Sequence, residues 1–348
     1  MLFYFSATQD QSLSSIKANV HTGPLALLLP AIQGITFTLI LIISLNLGLS
    51  QVAQAKVQGE ALSDSQNEQL TVTYFSEGQQ HTIQGKQTDQ GYRFNEKSNK
   101  VINLATLNWP PYISEELCNK GWVFQFTVAI LVSKGYQVNI HFYPWARSVM
   151  LVEQGKMDIL FPEYFIESSA PSDAVPGKKR SELLVLSNKF SGGELSLLKR
   201  LGYPFDLQEN LRNLKGKIIG VVRGYQNTPE FDAMMDSKQF SVIEAVDELQ
   251  LVKLLVAKRV DLIIGDPKVF TYSVNYSNLS NRNKQALLNN IEIVQPALKY
   301  NHLYFAISNK YQQWSQLLDD VNLALLEFQQ SGETDRFIKV GSGCTLDF

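Results

Sequence analysis

From residue 101 onward, stretches with a strand-like apolar pattern alternate with stretches of helical period, and this alternation is the most regular property of the chain. Residues 101–107 read as a strand. Residues 122–134 read as a helix with Phe124, Val128 and Leu131 at i, i+4 and i+7, stopped by Gly135. A strand over 137–143, a helix over 145–153 and a strand over 157–161 follow. Residues 167–179 form a polar loop with Pro and Ser, after which 183–186 and 195–198 return to strand. A second set comprises a strand over 217–222, a helix from Pro229, a strand over 240–243, a helix over 248–257 and a strand over 260–264. The chain finishes with a strand over 303–308 and a helix over 311–328. Trp314, Leu317, Leu318, Val321, Leu325 and Phe328 make one apolar, core-facing stripe on that helix.

Two such sets, joined near 191–194 and followed by a return segment, predict an α/β protein of two lobes, each a mixed sheet flanked by helices, with two crossover strands. The expected partition is 101–192 and 300–348 for the first lobe and 193–299 for the second. Ligands in such folds sit at the carboxyl ends of strands, often between lobes.

The region before residue 101 differs in kind. Residues 34–49 are almost wholly apolar and Ala53-Gln54-Ala55 follows, the pattern of a secretory signal cleaved after Ala55. The competing reading is an uncleaved membrane anchor, for which Pro30, Gln33 and Gly34 are interruptions. Either way the remainder is expected outside the cytoplasm, with the periplasm as its location. Residues 56–100 are rich in Gln, Ser, Asn and Gly; 70–75 alternates as a strand does, and Gln90-Gly91 suits a turn. A weakly structured extension or a small β appendage is expected there.

Composition narrows the function. At 45% hydrophobic and 18% charged residues the 348-residue chain is globular, and a net charge of −2 gives no support to nucleic-acid binding. The two cysteines, Cys118 and Cys344, lie in the exported part, where a single pair can close a disulfide; two buried thiols are the alternative. None of His21, His81, His141 or His302 sits in a paired metal spacing, and there is no Gly-x-Ser-x-Gly elbow or phosphate loop. No cofactor, metal or catalytic residue is expected.

Five pieces, in order, carry a resemblance: Trp109-Pro-Pro-Tyr112, Gln154-Gly-Lys-Met-Asp158, Arg180 with Ser187 seven residues on, the stretch from Leu214 to Gly224, and the stretch from Lys258 to Asp266. Through them residues 101–339 resemble the family 3 extracellular solute-binding proteins, the polar amino-acid-binding type with the type II periplasmic fold. Tyr143-Pro-Trp-Ala-Arg147 is similar to a subgroup of that family. The resemblance implies a monomeric periplasmic binding protein, not an enzyme, that captures an amino acid or related carboxylate and hands it to an inner-membrane ABC permease.

It also implies roles. Arg180 would grip the carboxylate through its guanidinium fork, the alternative being a solvated basic loop. Gly224 and Tyr225, ahead of a helix start, would present main-chain N–H groups to an anion; an ordinary turn is the alternative. Asp266 would pair with an ammonium, N-cap the helix from Pro267, or both. Trp109, Tyr112 and Trp145 would wall the pocket, against core packing as the default. Arg147 faces either the cleft or its own surface. Glu163 is a second acid, in the pocket or in a solvated loop. Two rivals stand: an enzyme similar to cyclohexadienyl dehydratases, with Glu163 protonating a leaving group, and a sensory module tethered through 35–49.

Overall fold

The computed structural model describes residues 70–341 apart from 173, 208 and 209. The expected signal segment, the start of the 56–100 extension and Cys344 lie outside the described residues. No helix among the described residues is long and apolar enough to cross a membrane.

The first lobe begins with three strands, β1 (Leu70–Ser76), β2 (Gln79–Thr88) and β3 (Gly91–Phe94). Then come β4 (Val101–Thr106), α1 (Trp122–Ser133), β5 (Gln137–Phe142), α2 (Trp145–Glu153), β6 (Ile159–Glu163) and the short β7 (Leu184–Leu186). Strand β8 (Phe190–Arg200) leads into the second lobe: β9 (Ile218–Val222), α3 (Pro229–Asp236), β10 (Ser241–Ala245), α4 (Glu248–Val256), β11 (Leu262–Gly265), α5 (Pro267–Asn275), α6 (Asn281–Leu288) and β12 (Ile291–Ile293). Strand β13 (Lys299–Ser308) returns to the first lobe, closed by α7 (Trp314–Gln330) and α8 (Glu333–Gly341).

The strands follow the order β1-β2-β3-β5-β4-β6-β13-β8-β11-β9-β10. Within each lobe the inner pairs are parallel, β4 with β5 and β6, and β9 with β10 and β11. The crossovers β8 and β13 run antiparallel to each other, from Leu195↔Lys299 to Phe190↔Leu303. The far end of β8 joins β11 and the far end of β13 joins β6, so each has one end in each lobe. The fold class read from the sequence is therefore the one found.

Burial explains the strand sequences. In the second lobe Leu195, Leu197, Leu262 and Ile264 enter one apolar cluster, while Leu198 and Ile263 enter another on the opposite face. A sheet covered on both faces needs continuous apolar runs, and these strands have them.

The appendage has a clearer place than the sequence suggested. β3 adds antiparallel to β5 (Phe94↔Val138, Tyr92↔Ile140), extending the first lobe's sheet by three strands. Val72, Tyr74, Tyr92 and Phe94 are buried in that lobe's core. Gly85 leaves room for the Phe94 ring, which a Cβ there would strike. The outer strand β1 is capped by the last helix: Phe75 N–H donates to Glu333 Oε2 (3.0 Å), and Arg336 donates to the Thr73 carbonyl (2.7 Å). Those bonds cover an edge that would otherwise offer unpaired groups to another strand. Helix α1 is buried beyond its Phe124, Val128 and Leu131 stripe, since every residue from Trp122 to Leu131 is buried. With β1, β5, α7 and α8 all packed on it, α1 keeps no wet face.

Candidate functional site

Strand carboxyl ends from both lobes converge on one place. After β4 the chain makes a tight loop in which Trp109 N–H donates to Ile113 O (2.6 Å) and Ile113 N–H to Trp109 O (3.1 Å). That loop stacks the Trp109 and Tyr112 rings, centroids 4.5 Å apart. Trp145 opens α2 just past β5, Glu163 ends β6 and Tyr164 follows. From the second lobe come Gly224 and Tyr225 after β9, Glu248 at the start of α4 and Asp266 after β11.

Side chains join the two lobes here. Tyr112 OH donates to Asp266 Oδ2 (2.7 Å), and Trp109 Nε1 donates to Glu248 Oε1 (3.0 Å). The Gly224 carbonyl accepts from Arg180 Nη2 (3.0 Å) and from Trp145 Nε1 (3.2 Å). Gly193 on β8 makes the Tyr112–Asp266 contact possible, since a Cβ there would run into both partner atoms.

Between these groups lies a chamber of about 20 Å³ lined by Trp109, Trp145, Glu163, Tyr164, Tyr225 and Gln226. A larger cleft of about 690 Å³ shares Tyr225 and Gln226 with it and reaches Arg180 and Gly224.

The electrostatics are those of buried acids. Burial pushes the Glu163 carboxyl up to about 7, against the pull of the nearby Arg180 guanidinium. One Glu163 oxygen accepts the Tyr164 N–H (2.9 Å); the other, Oε2, has no hydrogen-bond partner. Burial likewise raises Glu248 to about 7, although Tyr225 OH (2.8 Å) and Trp109 Nε1 both donate to it. Asp266 is also raised by burial, with the Tyr112 hydroxyl opposing. The Tyr112 phenol is held far above its ordinary range, first by burial and then by the Asp266 charge.

Arg180 is only 3% exposed, so it is not a solvated basic loop residue. Its Nε lies 3.3 Å from Glu153 Oε1 on α2, both groups buried. Glu153 is held in turn by the Ser172 hydroxyl (2.5 Å).

Several other residues of the expected site have local partners. The Gly224 carbonyl is the group that meets the arginine. Tyr225 N–H is taken by Val222 O (3.1 Å), Asn227 N–H by Asp232 Oδ2 (3.0 Å) and Phe231 N–H by Thr228 Oγ1 (3.2 Å). Of the two main-chain donors expected for an anion, that of Tyr225 is thus engaged locally. Arg147 is exposed with its guanidinium 4.8 Å from the Tyr143 ring centroid, the own-surface alternative. Ser187 pins β13, its Oγ accepting from Phe305 N–H (3.0 Å). Asp266 does N-cap α5, through Lys268 N–H (2.8 Å).

Glu248, Tyr164, Gln226 and Gly193 escaped the sequence reading. Glu248 follows the N-cap Asp247 and reads as an ordinary acidic first turn. The position of Tyr164, immediately after a strand ending in Pro-Glu, was an available signal.

No protein-family model and no curated protein sequence matches the chain. Solved structures do. An ancestral arginine-binding protein bound to arginine is 19% identical, covering 70% of this chain and 98% of that one, with a TM-score of 0.53. An amino acid ABC transporter substrate-binding protein from Streptococcus pneumoniae, bound to L-arginine, is 16% identical over 72% and 98%, TM-score 0.53. A histidine kinase sensor domain with similarity to periplasmic binding proteins is 14% identical over 70% and 95%, TM-score 0.53. At these identities the likeness defines the fold, that of the two-lobed periplasmic binding proteins.

Proposed function

We propose that this chain is a solute-binding protein whose lobes close on a small polar solute, an amino acid or a related small molecule, for ABC-type uptake. The observation that carries the reading is the set of side-chain bonds made from lobe to lobe at the strand carboxyl ends, around a chamber that shares Tyr225 and Gln226 with a larger cleft. A binding protein needs such a closable gap, and hinge motion at two crossing strands supplies it. The fold shared with amino-acid-binding proteins supports the reading but does not carry it, because one fold hosts many functions.

Export through residues 1–55, a periplasmic location, a monomeric state and an inner-membrane permease as recipient belong to the same proposal. So does a Cys118–Cys344 bridge: no described cysteine is a free thiol, and Cys344 lies outside the described residues. The test is a thermal-shift screen over amino acids, dicarboxylates and small amines, followed by calorimetry and small-angle scattering on each hit. Saturable binding with compaction supports the reading; binding without compaction would reject closure.

Two observations keep rivals in play. Glu163, raised to about 7 in an aromatic chamber, has the acidity of a general acid. Product formed from prephenate or arogenate would favour the enzyme. The likeness to a kinase sensor domain favours a tethered sensory module, which a processed chain starting near Lys56 would exclude.

A further inference from the structure

The chamber walls are not a stack of rings. Trp109 and Tyr164 meet at 78° with centroids 5.9 Å apart, and Trp145 and Tyr225 at 89° and 5.9 Å. Rings set at right angles around a void give it walls from several directions, and ring faces carry the negative part of the aromatic quadrupole. At about 20 Å³ the void admits one water-sized group.

Two polar atoms on its lining residues lack a hydrogen-bond partner, Glu163 Oε2 and Gln226 Oε1. Gln226 Oε1 is an acceptor, as is Glu163 Oε2 once its carboxyl is ionised above about pH 7, and Glu163 is only 2% exposed. A guest group able only to accept would leave both unsatisfied. A group that donates and carries positive charge would satisfy them and the ring faces together.

The surroundings have the same sign. Glu248 lies behind Trp109 and Tyr225, bonded to both, and Arg180 is already engaged by Glu153 and the Gly224 carbonyl. The adjoining cleft adds Glu167, Asp232, Asp236 and Glu244 to its lining, and they outnumber the cationic Arg180 there. Such a mouth concentrates cations.

We propose that this chamber is a subsite for a positively charged group bearing N–H bonds, the primary ammonium end of a solute whose body occupies the adjoining cleft. The assignment rests on the solute-binding reading above. It excludes quaternary ammonium as the preferred guest, because without N–H bonds both acceptors stay unpaired. It also removes the carboxylate as the group that solutes must carry.

The test uses the full exported chain and three probes built on a five-carbon chain in calorimetry: cadaverine, its bis-trimethylammonium analogue and glutarate, with L-arginine and L-lysine alongside. The probes with a primary ammonium are expected to bind, and the quaternary and dicarboxylate probes at least tenfold more weakly. Glu163→Gln should weaken the amines at least tenfold, and Tyr225→Leu should do so by removing a wall, which guards against a fold defect in either variant. Equal or tighter binding of glutarate or of the quaternary analogue, or wild-type amine affinity in both variants, would overturn the subsite while leaving solute binding intact. If no probe and no compound of the wider screen binds, the solute-binding reading falls with it.

Discussion

Replacing Arg180 by methionine keeps a long side chain and removes the charge. In the structure the guanidinium is 3% exposed, 3.3 Å from the fully buried Glu153 and bonded to the Gly224 carbonyl of the other lobe. Taking away one member of a buried pair leaves its partner's charge stranded, at a cost of about 3–5 kcal/mol. With an unfolding slope of about 3 kcal/mol per M in urea, that is a midpoint shift of about 1–2 M. The measurement is urea unfolding without ligand at pH 8, followed by circular dichroism. Arg180→Met combined with Glu153→Gln should recover more than half the loss, because the new amide keeps an acceptor for Ser172 and no charge is stranded. An Arg180→Met protein within about 0.5 kcal/mol of wild type, yet unable to bind any solute, would refute the argument. It would return the arginine to the role of ligand grip.

Acidification should stabilise the ligand-free protein. Glu163 and Glu248 have folded values of about 7, above the ordinary carboxylate value of 4.5, so folding takes up protons between those limits. Stability is then greatest near pH 5, falls as pH rises toward about 7 and levels off above it; a flat melting temperature from pH 5 to 8 would contradict this, and Glu163→Gln with Glu248→Gln should flatten it. Tyr112→Phe keeps the Trp109 stack but removes the 2.7 Å bond to Asp266, a contact to a carboxylate worth about 1.5–3 kcal/mol. Its radius of gyration without ligand should rise as closed molecules open, and an unchanged value would mean that other contacts hold the lobes. Cys118→Ser should lower the melting temperature only in the absence of reductant; equal loss with reductant present would argue against a bridge to Cys344.

The second lobe's strands were legible because its sheet is buried on both faces, which forces apolar runs such as Leu262–Gly265. Helix α6 was not, because none of its residues is buried and it shows no apolar face. The crossovers read as shorter than they are. Phe190–Arg200 contains Gly192 and Gly193, which look like breaks; the structure uses them where the Asn301 carbonyl and the Tyr112–Asp266 pair pass close by. At the site, residue types survived better than roles. Trp109, Tyr112, Trp145, Glu163 and Tyr225 do assemble around the chamber or its cross-lobe bonds. The arginine's engagement with Glu153 was invisible, since Glu153 lies at the end of a helix 27 positions earlier and nothing local pairs them.

Closure follows from how these contacts are divided. Among the described residues, side chains supply at least four bonds between the lobes, so the closed form has a framework that needs no guest. A solute then shifts the balance only by what it adds to the closed form beyond the open one. A molecule that displaced Tyr112 from Asp266 would remove as much closing energy as it brought. A group that fills the 20 Å³ chamber and reaches Glu163 Oε2 and Gln226 Oε1 displaces none of these bonds and satisfies two idle acceptors. Among guests of equal overall affinity, the one with a small N–H-bearing cationic end therefore closes the protein most completely, whatever its body places in the cleft.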